Sequence, residues 1–293
     1  MAVETLERTG IGALDWCPDA DVFDAYVGAR VAAPRPGVVR RALAFARCHP
    51  VFELVAFAVL AVAYNVVRSI GGVDELTAMA HASDILAAEG WVFDHLEVPL
   101  NGWLLSHTAF AVAACYVYAV LHYVATPTVF FLSRRRGGWQ YWRGYWSLAI
   151  ASGIALIGYA VYPAAPPRLA SSTGITDIMA HFSQYGWWGS AASAPRGIGD
   201  ATNQYAAMPS MHFGWSLWCA IQLWGFKSRL ARTIAIAYPT ILGLVVLGTG
   251  NHFLLDIVAG GTCVVIAYGL VAVIRRVAKA RADRWDALAS PAV

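Results

Sequence analysis

Charge is what this sequence has least of. Only 13% of its 293 residues are Asp, Glu, Lys or Arg, against roughly 25% in a soluble domain. Long uncharged runs and a mean hydropathy of +0.53 exclude a soluble globular protein and leave a chain that crosses a membrane several times. The net charge is only +3, and no polar basic tract is interleaved with aromatics, so nucleic acid is excluded as a partner. The five cysteines stand apart at Cys17, Cys48, Cys115, Cys219 and Cys263 with no CxxC pair. That argues against a disulfide framework and a zinc knot alike. The first forty or so residues have no early apolar core, so no cleavable signal peptide is expected. Arg40-Arg41 reads as the cytoplasmic flank of a span. There is no internal repeat.

What is present is a series of apolar runs. Residues 1–43 form a polar arm, broken by Pro34, Pro36 and Gly37. Spans are expected over about 50–69, 108–132, 145–162, 209–226, 231–248 and 253–274, followed by a basic tail over 276–293. Leu76 to Leu105 mixes acids with Ala, Leu and Trp and reads as interfacial helices. Residues 164–206 form a long loop rich in Pro, Gly and aromatics, the kind that often carries function. Six spans place both termini on one side. Arg40, Arg41 and Arg47, then Arg134–Arg136 and Arg143, then Lys227, Arg229 and Arg232, then Arg275, Arg276, Lys279 and Arg281 all fall on that side, which the positive-inside rule makes cytoplasmic. The expectation is an all-α, six-helix membrane bundle over 44–275 with interfacial helices on the extracytoplasmic face.

Two motifs fall on that outer face. Ala207-Met-Pro-Ser-Met-His-Phe-Gly-Trp215 and Gly250-Asn-His-Phe-Leu-Leu-Asp256 each put a histidine where an apolar helix begins. Asp256 follows His252 by four residues, on the same helix face. It can hold one imidazole nitrogen and leave the other to attack phosphorus. His252 is the candidate nucleophile, Asp256 its partner and His212 the candidate general acid and base. Ser210 and the N–H groups beside it are candidates to hold phosphate oxygens, and Ser210 also reads as a helix cap; the two roles are compatible. Arg168 ends Tyr162-Pro-Ala-Ala-Pro-Pro-Arg168 and is the first candidate phosphate clamp; Arg68, at the outer end of the first span, is the second. Asn251 and Asn203 are further substrate-binding candidates. Glu97, with Glu89 and Asn101, either meets a polar head group or acceptor or faces water. Two histidines and an aspartate could also ligate zinc, but no HExxH or ligating cysteine supports a metal, and none is expected.

Met208-Pro-Ser-Met-His212 together with Thr249-Gly-Asn-His-Phe-Leu-Leu-Asp256 resembles the type-2 phosphatidic acid phosphatase superfamily. Tyr162-Pro-Ala-Ala-Pro-Pro-Arg168 and Asn203-Gln-Tyr-Ala-Ala-Met-Pro-Ser210 look like its integral-membrane branch that includes inositol phosphorylceramide synthase. The resemblance covers about residues 45–275. It implies a six-helix fold and metal-independent transfer through a phosphohistidine, with no cofactor, His252 as nucleophile, Asp256 as its partner and His212 as acid/base. Three departures stand out. Val246 occupies the place where commoner members carry an arginine six residues before the second histidine. Met211 replaces a glycine before the first histidine, and no Lys…Arg-Pro element precedes it. Phosphate must then be held differently, which turns attention to Arg168 and Arg68.

The expected protein is a plasma-membrane enzyme acting on a lipid phosphate or phosphodiester at the outer leaflet. Its acceptor is water or an alcohol such as inositol. A lipid-phosphate transporter or a non-catalytic lipid-binding protein is the alternative. One-sided clustering of the charged candidates weighs against a transport path through the midplane.

Overall fold

A computed structural model of the chain describes residues 55, 59, 62, 74–90, 95–170, 173–188 and 204–289. Regular structure among them is helical: α1 (Glu75–Gly90), α2 (Glu97–Ser106), α3 (Thr108–Arg136), α4 (Gly138–Val161), the single turn α5 (Ile178–His181), α6 (Met211–Trp224), α7 (Arg229–Gly248) and α8 (Leu254–Ala289). The β pairing among them is one parallel bridge between Ala164 and Ala206.

Four of these helices, α3, α4, α7 and α8 as far as Arg281, are long and apolar enough to cross a membrane. They coincide with the second, third, fifth and sixth expected spans. The expected fourth span is α6, which has 14 residues. At 1.5 Å per residue it is roughly 21 Å long, short of the roughly 30 Å hydrocarbon layer. The approach to it, over 204–210, is not helical. The first expected span apart from residues 55, 59 and 62, the arm over 1–43, Arg68 and Asn203 lie outside the described residues.

The basic turn expected between the second and third spans is tighter than its composition suggests. α3 runs on through Arg136, and Gly137 alone separates it from α4. Gly137 and Gly138 both have positive φ, 66° and 67°, which a residue with a Cβ adopts only with strain. The tail is likewise a continuation of α8, which carries on to Ala289.

The segment expected to lie at the interface consists of α1 and α2. α1 buries Ala78, Ala82, Ile85 and Glu89, and α2 buries Glu97, Asn101 and Leu104. Both sets recur every three or four residues, the spacing of one helix face. The acids and the amide therefore sit on the packed face and do not face water.

α6 is central. It packs against α3, α4, α7 and α8. Trp218 is buried in its middle and donates from its indole N–H to the Gly144 carbonyl of α4 (2.8 Å). Leu148, Ala151, Leu242, Val246, Val264 and Ala267 complete that core. Outward faces of α7 and α8 expose Ile234, Ile236, Ile241, Leu244, Val265, Ile266, Leu270 and Ile274, as lipid-facing surfaces require. At one end of the bundle, arginines from successive connections lie over aromatic rings: Arg136 over Phe226 (4.5 Å), Arg275 over Trp139 (4.0 Å) and Arg143 over Tyr268 (5.0 Å). α6 and α8 both begin at the other end, where α1, α2 and α5 pack.

Candidate active site

α7 stops at Gly248, and the chain turns through 249–253 into α8. The Val246 carbonyl accepts from two successive backbone N–H groups of this turn, those of Asn251 (3.1 Å) and His252 (3.2 Å). Gly250 has φ 73°, and a Cβ there would come within 2.7 Å of Ile175. Glycine is needed at this position on both counts. The Val246 side chain is fully buried, so where commoner relatives of the motif bear an arginine, this chain has core packing.

Asp256 closes the turn from inside α8. Its Oδ2 accepts the Phe253 N–H (2.9 Å), reaching back to the residue just before the helix as the acid of a capping box does. That same oxygen lies 3.3 Å from His252 Nδ1, and the Ala207 carbonyl lies closer, at 2.9 Å. A carbonyl can only accept, so the nearer contact requires Nδ1 to carry the proton. Nε2 is left with its lone pair. The sequence points to Asp256 for this task; the carbonyl of Ala207, contributed by a distant loop, is the nearer holder of the tautomer.

α6 starts beside that turn. Ser210 is its N-cap, fully buried, with Oγ accepting from Phe213 N–H at 3.5 Å. Its hydroxyl caps the helix here. The Ser210 N–H donates to the Asp256 carbonyl (2.9 Å), and the Tyr159 hydroxyl donates to the Pro209 carbonyl (2.8 Å). These bonds fix the entry into α6 against α8 and α4. His212 is thereby brought to His252, with ring centroids 5.6 Å apart. It stacks on Tyr118 (4.4 Å) and meets the edge of His122 (4.5 Å). Tyr118 lies in a π-helical segment, Val117–Leu121, within α3, and His122 follows it directly. Such segments are rare and recur at functional sites. Neither residue was a sequence candidate, though a histidine inside an otherwise apolar span was a usable signal.

Arg168 is clipped to the same turn. Its backbone N–H donates to the Gly250 carbonyl (2.9 Å), Nε to Asn251 Oδ1 (3.0 Å) and Nη1 to Asp177 Oδ2 (3.0 Å). The side chain is only 4% exposed. Nη2 makes no hydrogen bond among the described residues. Asn251 is buried and donates to Thr249 Oγ1 (2.8 Å). Two predicted residues, Arg168 and Asn251, therefore bond directly to each other and border the nucleophile candidate.

Glu89 and Glu97 meet the start of α8. Glu97 Oε1 accepts the Leu254 N–H (3.4 Å) and Glu89 Oε1 accepts the Leu255 N–H (2.5 Å). With Asp256 on Phe253, three carboxyl groups take three successive N–H groups that the helix itself leaves unpaired. Burial, and then the neighbouring Glu97 carboxyl, pushes the Glu89 carboxyl up to about 9. Asn101 donates to the Thr176 and Gly248 carbonyls and accepts from Thr176 N–H, each at 2.9 Å. It ties α2 to the end of α7 and to the loop that carries Asp177.

A PAP2 superfamily model matches residues 83–270 of the chain. No curated protein and no solved structure matches it significantly.

Proposed function

The chain belongs to the PAP2 superfamily, whose members are generally phosphatases acting on phosphate esters, and we propose that it is an integral membrane lipid phosphatase or head-group phosphotransferase working through a phosphohistidine. The observation that carries this reading is the state of His252: Nδ1 is held between the Ala207 carbonyl and Asp256, and Nε2 is left as a base and nucleophile with His212 alongside.

In the first step Nε2 attacks phosphorus, and the bond to the leaving alcohol oxygen breaks as His212 delivers a proton to it. Asp256 stabilises the imidazolium that forms. In the second step His212 takes the proton of water or of an acceptor alcohol, whose oxygen displaces His252. Arg168, fixed by Asn251 and Asp177, offers Nη2 to the phosphoryl oxygens; Arg68 and Asn203 remain further substrate contacts on this reading. No step calls on a metal or cofactor.

This reading keeps the six spans expected from the sequence, the first over 50–69 and the fourth containing α6, with α1 and α2 on the extracytoplasmic side. Arginines at the other end of the bundle make that end cytoplasmic under the positive-inside rule. Both termini then lie in the cytoplasm and the histidines face outward from a plasma membrane. Resemblance of the Tyr162–Arg168 and Asn203–Ser210 segments to the inositol phosphorylceramide synthase branch supports transfer to an alcohol such as inositol beside hydrolysis.

The test is turnover of a panel of lipid phosphates and phosphodiesters by the purified chain in detergent, with and without inositol. Free phosphate and lipid products are followed together, and His252→Ala is the blank. Phosphate release lost in the variant identifies a phosphatase. An inositol-dependent lipid product without matching phosphate identifies a transferase. Turnover unchanged by His252→Ala rules the mechanism out.

A further inference from the structure

Beside the nucleophile turn, and apart from the histidine pair, lies a second group of ionisable side chains that the mechanism does not use. Glu89 ends α1, Glu97 begins α2, and His95 stands between them. One ligand atom from each lies within 4.8 Å of those from the other two. Glu89 is fully buried and Glu97 is 1% exposed. Each uses Oε1 on α8. Their Oε2 atoms, and Nδ1 of His95, are buried with no N–H or O–H donor among the described residues.

Two carboxyl groups this close in a dry interior cannot both be ionised unless something positive lies between them. A proton or a cation meets that need. Two observations favour the cation. A proton shared by the two carboxyl groups leaves His95 Nδ1 without a partner, whereas an ion takes the His95 imidazole as a third ligand. A cavity of about 120 Å³, lined by Leu86, His95, Glu97, Val98, Thr173 and Ile175, adjoins two of the three residues. It is large enough for an ion with water completing its shell and gives it a way in.

We propose that Glu89, His95 and Glu97 bind one divalent transition-metal ion, of the Zn²⁺ or Mn²⁺ class, at the start of α8. Two carboxylate oxygens and one imidazole nitrogen are the donors such ions take; Ca²⁺ and Mg²⁺ prefer oxygen alone. Bonds of roughly 2.1 Å put donors about 3.4 Å apart around a tetrahedral ion, so the three side chains close in slightly from their present spacing. The ion is structural. It joins α1, α2 and the residue between them to the helix that begins beside His252, and it takes no part in the displacement.

Metal content and melting temperature test this without any reading of turnover, so its failure and failure of the phosphohistidine mechanism are distinguishable. The full chain is purified in detergent without chelator and assayed by elemental analysis. About one Zn or Mn per chain is expected. EDTA should then lower the melting temperature, and Zn²⁺ or Mn²⁺, but not Mg²⁺, should restore it. The double variant Glu89→Gln/Glu97→Gln should lose the metal. Should it fail to fold, His95→Ala, at a partly exposed position, serves instead; it should weaken affinity by at least about tenfold, a loss seen even for partners of a ligand. A metal-free chain whose melting ignores both EDTA and added ions overturns the proposal in favour of a shared proton. Metal retained at unchanged affinity in His95→Ala overturns it as well.

Discussion

The backbone N–H of Ser210 donates to the carbonyl of Asp256 at 2.9 Å, so the helices that carry His212 and His252 are joined by their main chains at the site itself. Gly260, one turn further along α8, makes that approach possible, because a Cβ there would run into the Ser210 backbone. Neither helix could come so close with a larger residue at this point.

Gly260→Ala should therefore force the start of α6 away from α8. Overpacking of this kind costs about 1–3 kcal/mol, read as a lower melting temperature. Turnover should fall with it, because His212 moves relative to His252. Gly153→Ala and Gly269→Ala, whose Cβ atoms would meet nothing within 4 Å, are the controls and should leave both readouts unchanged.

His252→Ala should abolish turnover, and His212→Ala should reduce it by about 10²–10⁴-fold, the contribution of a positioned acid/base. Asp256→Asn should be milder than either. The Ala207 carbonyl is the nearer acceptor for Nδ1, so the tautomer survives and only stabilisation of the imidazolium is lost. Single-turnover kinetics on the three variants check this order. Asp256→Asn as damaging as His252→Ala would show that the carboxylate's charge, and not the tautomer, is what matters.

Arg168 is buried against Asp177, which is 17% exposed. Arg168→Met removes the bonds to Asp177 Oδ2 and Asn251 Oδ1. Breaking a buried pair costs about 3–5 kcal/mol, and the partial exposure of Asp177 puts the expected loss at the lower end. Arg168→Lys keeps the charge but not the fork. It should fold better than Arg168→Met and still show a raised KM for the lipid phosphate. An unchanged KM in Arg168→Lys would remove Arg168 from phosphate binding.

Asn101→Leu deletes three bonds that hold α2 to Thr176 and Gly248. With two carbonyls and one N–H left unpaired, the loss is on the order of 3 kcal/mol. Thermal melting measures it. Because Asn101 touches neither histidine ring, KM should change less than melting temperature does.

Composition was enough to expect a membrane protein, and hydropathy anticipated the four long apolar stretches to within about seven residues at each end, although the last helix runs on to Ala289. Lipid exposure demands unbroken apolar helices, and that demand is written residue by residue. Motif spacing was enough to single out His212, His252 and Asp256, since a histidine at a helix start and an acid one turn later are local features. What stands around them was not legible, because it comes from other parts of the chain. The Ala207 carbonyl on His252, Tyr118 and His122 around His212, and the bond from Arg168 to Asn251 all join residues far apart in sequence. The acids of α1 and α2 show the same limit. Their spacing marks one helix face, but only packing against the start of α8 decides that this face is buried and that its carboxyl groups meet backbone N–H donors and one another. The sequence by itself determined where the motif histidines and acids fall and which segments form long apolar helices. Tertiary structure decided which nitrogen of His252 is free and which side chains share an enclosed space, because those depend on distances between helices that no local pattern records.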